Sequence, residues 1–226
     1  MIKVSNLKKF YLVNGKKINI FNDVNFKIND GETAVILGLN GSGKSTLIRI
    51  LGGVENFQRG KLKITQNISW PCALKSGFQN QMTARENCIF ICQVYLGNNR
   101  QLINKKINFI KRFSETGKYF DYPIHTFSSG MRARVAFGLA MSFDFDIYLS
   151  DESLSVGDLR FRKKCENLIR DKIKKKCSFV LTDHSYKRKQ DFISKVLIIK
   201  NKKVFQYDDP DEGYNEYSKI LNKGDN

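Results

Sequence analysis

Residues 38–45 read Gly-Leu-Asn-Gly-Ser-Gly-Lys-Ser, a glycine-rich segment that ends in lysine and serine. Four residues separate Gly38 from Gly43, and Lys44 and Ser45 follow at once, which is the spacing of a phosphate-binding loop, or P-loop. Glycines let backbone N–H groups curl around phosphate oxygens, and the helix that follows points its positive end at them. Lys44 would reach the β- and γ-phosphates, and the Ser45 hydroxyl would bind Mg²⁺. The stretch therefore predicts a nucleoside triphosphate site.

The residues on either side of the loop support this interpretation. Residues 33–37 form a short apolar run, typical of a strand covered on both faces, and residues 46–51 continue as a helix that ends at Gly52. A glycine-rich loop that binds nothing is the alternative, and the strand before it and the helix after it weigh against that. We expect ATP to be held by nine consecutive residues: Gly38, Leu39, Asn40, Gly41, Ser42, Gly43, Lys44, Ser45 and Thr46.

The rest of the chain predicts a sheet interrupted by helices. Alternating or short apolar segments predict strands, at residues 1–37, 61–68, 145–149, 177–181 and 195–199. The pair Trp70-Pro71 is expected to stop the second of these. Thr83 and Glu86 have the spacing of a capping box, so helices are expected over 83–97, over 100–115 and from Ser128 onward. These segments indicate an α/β fold.

The order of these segments indicates one domain over residues 1–226. We expect its core at about 1–78 and 144–206, with a helical subdomain inserted at about 79–143 and a short tail at 207–226. The tail carries an acidic cluster, and its sequence predicts one short helix but no function.

Composition limits the possible partners without choosing between them. The chain has a formal net charge of +17, which suggests nucleic acid or an anionic membrane face; codon bias with a solvated surface is the alternative. No run approaches the ~18 apolar residues of a membrane-spanning helix, and the start lacks the apolar run of a secretory signal. We therefore expect a cytosolic protein, unless a partner holds it at a membrane. The five cysteines include no CxxC pair and predict reduced thiols rather than a zinc site.

A second group of chemical residues follows the predicted strand at 145–149. Asp151 and Glu152 are adjacent carboxylates, so Asp151 can bind Mg²⁺ through water while Glu152 orients and polarises an attacking water. A surface acid pair is the plainer alternative. A small P-loop kinase, which would phosphorylate a small acceptor, has no need of the second acid. The pair therefore favours hydrolysis of the triphosphate.

The segment Ser128-Ser129-Gly130-Met131 opens the third predicted helix, and by itself it could be a plain N-cap. In this context it resembles the signature motif of the ATP-binding-cassette (ABC) ATPases, which often have Ser-Gly-Gly-Gln there. The resemblance implies a P-loop ATPase core with a mixed sheet, an N-terminal antiparallel β part and an inserted helical subdomain. It also implies a homodimer, in which this segment faces, in trans, the nucleotide held by the other copy.

Further residues match the family's motifs in order along residues 1–206. Tyr11 resembles the aromatic residue that stacks on adenine, although a tyrosine at a strand edge is the alternative. Gln79 resembles the glutamine that touches Mg²⁺ and senses the membrane partner. Asp158, in Ser155-Val156-Gly157-Asp158, resembles the loop that communicates across the dimer. His184 resembles the histidine that contacts the γ-phosphate and the attacking water.

A finer resemblance concerns the transported substrate. Ile68-Ser69-Trp70-Pro71, Gly117-Lys118-Tyr119-Phe120 and residues 155–161 are similar to the ATP-binding subunits of bacterial capsular polysaccharide exporters. That resemblance implies ATP and Mg²⁺ as cofactors and a separate integral membrane permease as partner. It further implies a peripheral position on the cytoplasmic face of the inner membrane, with no glycan site in this chain and no nucleic acid bound. The alternatives are an ABC ATPase that exports O-antigen or teichoic acid, and one associated with nucleic acid.

Overall fold

The computed structural model describes residues 1–72, 77–151, 158–182 and 191–223. The contacts divide the chain into two compact units. The first comprises Met1–Pro71, Phe145–Glu152 and Ile169–Asn226, and the second comprises Cys72–Asp144 and Ser153–Leu168.

The strands of the described residues all belong to the first unit. They are β1 (Ile2–Val13), β2 (Lys16–Ile28), β3 (Thr33–Gly38), β4 (Arg59–Ile64), β5 (Ile68–Pro71), β6 (Ile147–Ser150), β7 (Ser178–Thr182), β8 (Lys195–Lys200) and β9 (Lys203–Tyr207). The α-helices are α1 (Lys44–Leu51), α2 (Ala84–Leu96), α3 (Arg100–Ser114), α4 (Ser129–Ser142), α5 (Leu159–Lys174) and α6 (Pro210–Lys223). Two short 3₁₀ helices lie at Gly117–Asp121 and Ile124–Thr126.

Two sheets form the first unit. One has the order β2-β1-β4 and is antiparallel, and the other has the order β5-β6-β7-β3-β8-β9. In the second sheet β5, β6, β7, β3 and β8 run parallel, while β9 pairs antiparallel with β8. Parallel strands covered on both faces are mostly apolar, and the fully buried β3 and β7 have apolar centres with polar residues only at their ends.

Helix α1 lies in the hydrophobic core of this unit. Its buried residues Leu47, Ile48 and Leu51 belong to one cluster with residues of both sheets, among them Val24 of β2 and Ile36 of β3. Burial of this helix face stabilises the unit and fixes the helix against both sheets. The loop between β3 and α1 is therefore supported at both ends by buried elements.

One predicted strand is wrong. The segment 61–68 is in fact the end of β4 and the start of β5, which belong to different sheets. Trp70 lies inside β5 and Pro71 is its last residue, so a strand does end at Trp70-Pro71 as expected. Proline is tolerated here because β5 is an edge strand, where a missing N–H group costs no bond on the open side. The ladder between β5 and β6 shifts register between Ile68 and Pro71. In this part of the ladder the Ser69 hydroxyl, a side-chain group, accepts the hydrogen bond of the Leu149 backbone N–H at 2.9 Å.

The helices of the second unit start where their capping residues predict. The Thr83 hydroxyl accepts from the Glu86 N–H, and the Glu86 carboxylate accepts from the Thr83 N–H at 2.8 Å, so the capping box of α2 is confirmed. Helix α3 packs on α4 through aromatic residues, with Phe113 stacked on Phe137 at 5.7 Å between ring centroids. Ser128 caps α4.

The C-terminal tail is part of the first unit's core. Helix α6 places Tyr214 and Tyr217 in a buried cluster with Val35 of β3 and Val196 of β8. The acidic residues of its first turn favour the positive end of the helix. The predicted short helix is confirmed, and its role is to cover the face of β3 and β8.

The cysteines are free thiols. Four of them are buried, and Cys177 is half-buried. Burial raises the pKa of Cys92 to about 11 and that of Cys165 to about 12, so both are protonated at neutral pH. Within the described ranges, no group of acidic, cysteine or histidine residues is placed to bind a metal, and no helix is long and apolar enough to cross a bilayer.

Lys195 is a buried cation that joins three elements of the first unit. Its Nζ donates to Asp208 at 2.9 Å and to the Lys27 carbonyl oxygen at 3.0 Å, and it lies 3.1 Å from Glu32. Burial opposes its charge, but the bonds to Asp208 and Glu32 raise its pKa above the ordinary value. The hydrogen bond from Lys195 lowers the pKa of Asp208, and those from Asn29 and Lys195 outweigh burial and lower the pKa of Glu32.

We expect Lys195→Met to lower the free energy of unfolding at pH 7 by about 1–3 kcal/mol, since charge-assisted hydrogen bonds are lost. Carboxyls with a lowered folded pKa contribute stability above their ordinary pKa, and that contribution disappears as the pH falls through the folded value. The difference between the natural protein and the variant should therefore shrink from about pH 5 towards pH 3. Urea unfolding at several pH values measures it. Lys200→Met, an exposed change on the same strand, is the control; an equal difference at every pH would contradict the prediction.

Candidate functional site

The predicted P-loop lies at the carboxyl end of β3. That strand is inside the parallel part of its sheet, between β7 and β8, and ends at Gly38. Helix α1 begins at Lys44, so the loop joins a buried strand to a buried helix. Ligands of open α/β sheets bind outside the carboxyl ends of the strands, where this loop is found. Residues 38–46 thus run from the end of β3 to the first turn of α1, and their contact with a nucleotide stays a prediction.

Two glycines of the loop are required by its geometry. Gly43 has φ +107°, and a Cβ added there would lie 2.9 Å from side-chain carbons of Ile20 and Phe21. A Cβ on Gly38 would lie 2.6 Å from the Ser42 hydroxyl oxygen. Any side chain at these positions would strain the loop or displace its neighbours.

The loop surrounds a pocket of about 270 Å³, lined by Ile20, Asn40, Gly41, Gly43, Lys44, Ser45 and Thr46. Lys44 is buried, and its Nζ donates to the carbonyl oxygens of Gly38 at 2.7 Å and Leu39 at 3.1 Å. The buried Ser42 hydroxyl has no hydrogen-bond partner among the described residues. A buried hydroxyl without a partner costs free energy, so it indicates a ligand oxygen as its partner.

The N-terminus of α1 is suited to an anion. Gly43 supplies no capping side chain, and the described first turn, starting at Lys44, holds no acidic residue. The N–H groups of a first helical turn lack partners within the helix, and together they carry a partial positive charge. Lys44 and the uncapped N–H groups of α1 therefore lie at one pocket that fits a chain of phosphates, and the Ser42 hydroxyl without a partner lies in the same loop.

Asp151 lies at the same edge of the sheet. It follows β6, and its Oδ1 accepts a hydrogen bond from the Thr182 hydroxyl at 2.8 Å. Thr182 ends β7, which lies between β6 and β3. We did not predict Thr182 from the sequence; the available signal was a hydroxyl at the carboxyl end of a neighbouring apolar strand. This bond orients the Asp151 carboxylate. Glu152 and His184 lie outside the described residues.

Tyr11 lies near the end of β1 and is half-buried. It pairs with Ile18 of β2, and the Nζ of Lys9 lies 4.4 Å from the centroid of its ring. The ring is therefore covered on one side by a cation. Tyr11 belongs to the same unit as the P-loop and Asp151.

The segment Ser128–Met131 belongs to the second unit, where it starts α4. Ser128 and Ser129 are exposed, and the Ser128 hydroxyl accepts a bond from the Met131 N–H at 3.2 Å. A Cβ added to Gly130 would meet only the Ser128 hydroxyl, at 3.9 Å, among the described atoms. The plain N-cap is thus present, and the helix N-terminus remains open to solvent.

Gln79 also belongs to the second unit, and its side chain is exposed. Its backbone is held by Asn87 of α2, which accepts from the Gln79 N–H at 2.7 Å and donates to the Gln79 carbonyl oxygen at 3.1 Å. Asn87 is 4% exposed and also donates to the Thr83 carbonyl oxygen at 2.9 Å. We did not predict Asn87, because an asparagine inside a helix carries no local signal of such a role.

Asp158 has a structural role within the second unit. Its carboxylate accepts from the Phe161 N–H at 2.8 Å, which caps α5, and from Arg134 of α4 at 3.3 Å. The bond from Phe161 and the charge of Arg134 lower its pKa. Asp158 therefore joins the start of α5 to the helix that begins with Ser129, and its predicted role across a dimer stays a prediction.

Residues 21–155 match the family described as ABC transporter. The chain is similar to the polysialic acid transport ATP-binding protein KpsT of Escherichia coli, with 40% identity over 96% of each chain. It is also similar to the capsule polysaccharide export ATP-binding protein CtrD of Neisseria meningitidis serogroup B, with 38% identity over 97% of this chain and 100% of that one.

A solved dimeric ATP-binding cassette in a post-hydrolysis state, bound to ADP and Pi, has the same fold. Its TM-score is 0.81 at 20% identity, over 92% of this chain and 98% of that one. The likeness confirms the predicted P-loop ATPase core with a mixed sheet, an N-terminal antiparallel part and inserted helices. The family model matches more than half of the residues, and the two relatives align with nearly the whole chain. Both findings agree with the pocket at the end of β3. This protein belongs to the ABC transporter family, as one of its ATP-binding ATPases.

Proposed function

We propose that the chain is the ATP-hydrolysing subunit of a transporter that exports a capsular-type polysaccharide through a separate membrane permease. The observation that carries the ATPase part is the loop at residues 38–46, whose pocket is lined by the buried Lys44 and which also holds the Ser42 hydroxyl without a partner among the described residues. The choice of substrate is supported by relatives named for polysialic acid transport and capsule polysaccharide export. Export of O-antigen or teichoic acid is the alternative within the same class.

The triphosphate would lie in the P-loop pocket. Residues 38–46 would surround its oxygens with backbone N–H groups, and Lys44 would leave the loop carbonyls to contact the β- and γ-phosphates. The adenine base would stack on Tyr11. Mg²⁺, when bound, neutralises charge on the phosphates; Ser45 and Gln79 would hold it directly and Asp151 through water.

Hydrolysis would depend on the residues that follow β6 and β7. Glu152 would orient and polarise the attacking water, and His184 would contact the γ-phosphate and that water. The Thr182 bond to Asp151 supports this assignment, because it orients the carboxylate that precedes Glu152. A fixed carboxylate is better placed to bind a metal-bound water than a mobile one.

Two copies of the chain would sandwich two ATP molecules. Each ATP would be held by the P-loop of one copy and by Ser128, Ser129, Gly130 and Met131 of the other. The exposed N-terminus of α4 supports this, since an anion is favoured there. Loss of the γ-phosphate removes the shared contact and opens the dimer. Asp158 would transmit this closure between the two copies.

The movement would pass to the permease through the second unit. Gln79 would sense the nucleotide, and the buried Asn87 supports this role because it fixes the backbone of Gln79 relative to α2. The chain would then be held peripherally at the cytoplasmic face of the inner membrane by the permease. It needs neither a glycan site nor a nucleic-acid site for this work.

The test is a deletion of the gene in the organism that encodes it. We expect the glycan to accumulate inside the cells and to disappear from the surface, and a plasmid copy of the natural chain to restore it. The tagged chain should also co-purify from detergent with one integral membrane protein. If the cells lost O-antigen or teichoic acid but kept the capsule, that glycan would replace capsular polysaccharide as the assigned substrate. An intact surface, together with micromolar binding of DNA or RNA at physiological salt, would overturn the proposal.

A further inference from the structure

A buried ion pair lies beside the proposed adenine site. Lys9 of β1 is only 5% exposed, and its Nζ donates to Glu55 Oε1 at 2.6 Å and to the Asn56 carbonyl oxygen at 2.7 Å. A buried ammonium without such partners would be strongly destabilising. Lys9 is therefore not one of the solvated surface charges that account for much of the basic composition.

The same pair contacts the Tyr11 side chain. The Lys9 Nζ lies 4.4 Å from the centroid of the ring, within the range of a cation–π interaction. Hydrogen bonds from Lys9 and from the Tyr11 side chain lower the pKa of Glu55, against the effect of its burial. The ammonium of Lys9 thus holds the ring face of Tyr11. Because the ammonium covers one face of the ring, a base can stack only on the opposite face.

Glu55 is at the same time attached to helix α1. Its backbone N–H donates to the Arg49 carbonyl oxygen at 3.2 Å, and its Oε2 lies 3.4 Å from the Arg49 Nε. Arg49 in turn donates to the Thr46 hydroxyl at 3.5 Å. Thr46 lines the P-loop pocket. A continuous series of contacts therefore joins the ring of Tyr11 to the helix that starts at the phosphate site.

We propose that Glu55 and Lys9 are positioning residues that hold Tyr11 at a set distance from the P-loop, so that the base and the triphosphate of one nucleotide are bound together. This inference depends on the proposed ATP site. Its physical basis is preorganisation: a side chain already ordered in the free protein costs no further entropy when the ligand binds. The gain in affinity is restricted to ligands that carry a base. The Lys9–Glu55 pair therefore contributes to the selection of a nucleotide over a bare triphosphate.

The test compares ATP with inorganic tripolyphosphate, both with Mg²⁺, on the full chain. Glu55→Gln and Lys9→Met should weaken ATP binding by about 2- to 12-fold, the equivalent of ordering one side chain. The affinity for tripolyphosphate should stay the same. With ATP as substrate, the rise in KM should exceed the fall in kcat. Lys9→Arg, which keeps the charge, should restore most of the ATP affinity.

Two controls separate positioning from general stabilisation. Lys195→Met removes another buried, paired lysine of the same unit and should leave the ratio of the two affinities unchanged. In a Tyr11→Leu background, Glu55→Gln should have no further effect on ATP affinity, because the residue it acts through is absent.

Equal losses for ATP and tripolyphosphate, or an undiminished effect in the Tyr11→Leu background, would overturn the inference. Should Glu55→Gln fail to fold, Glu55→Asp, which keeps the charge with a shorter reach, is measured by the same ratio. If the natural chain bound neither ATP nor tripolyphosphate, the proposed function itself would fail. That result concerns the natural chain, so it is distinguishable from every result with the variants.

Discussion

Glu152→Gln is expected to slow ATP hydrolysis by about 10²- to 10⁴-fold, the contribution typical of a positioned general base. Glutamine has nearly the same shape as glutamate, so the water can still be contacted but is no longer polarised. ATP binding should remain, because the P-loop at residues 38–46 is unchanged. With both nucleotides intact, the sandwiched dimer should accumulate. Phosphate release and light scattering at saturating Mg-ATP measure the two effects.

The matched control for that experiment is Glu212→Gln. Glu212 is an exposed acid in the first turn of α6, so the same chemical change is made away from the pocket. It should hydrolyse ATP at the natural rate. A Glu152→Gln protein with normal turnover that stays monomeric at saturating ATP would refute the role given to Glu152.

Lys44→Ala should weaken ATP binding by about 10- to 150-fold, since hydrogen bonds to a charged group contribute about 1.5–3 kcal/mol. The ammonium is already in the loop, where it donates to Gly38 and Leu39, so only a short movement brings it to a phosphate. Calorimetric titration of the full chain with Mg-ATP measures the affinity.

Alanine at this position also removes the donor to two loop carbonyls, so the thermal midpoint of Lys44→Ala must be compared with that of the natural chain. Lys61→Ala is the control, because Lys61 is an exposed lysine on β4. It should bind ATP with natural affinity. Unchanged affinity in a folded Lys44→Ala protein would count against the phosphate pocket.

Much of the fold could be predicted because its signals are local. The capping box Thr83–Glu86, the apolar runs of β3 and β7 and the glycine loop between β3 and α1 each depend on a few neighbouring residues. Hydrophobic periodicity and helix capping involve residues only a few positions apart, so both can be recognised in the sequence. The error at residues 61–68 has the opposite origin. This segment divides into β4 and β5 because the first part pairs with β1 in one sheet and the second with β6 in the other, and these partners are distant in sequence.

The supporting residues of the site were not predictable in the same way. Thr182 and Asp151 are 31 residues apart in sequence, and Lys9 and Glu55 are 46 apart. Neither pair has a characteristic spacing. A hydroxyl at the end of β7 meets Asp151 only because β7 pairs with β6.

The α/β class follows from the order of local patterns along the chain, and the phosphate loop at residues 38–46 and the adjacent acids after β6 are each recognised from contiguous residues. Only the three-dimensional contacts show that Thr182 orients Asp151, that Asn87 anchors Gln79, and that Lys9 and Glu55 connect Tyr11 to α1. Such contacts join distant parts of the chain, and their formation depends on strand order and on the packing of helices, which no local pattern encodes.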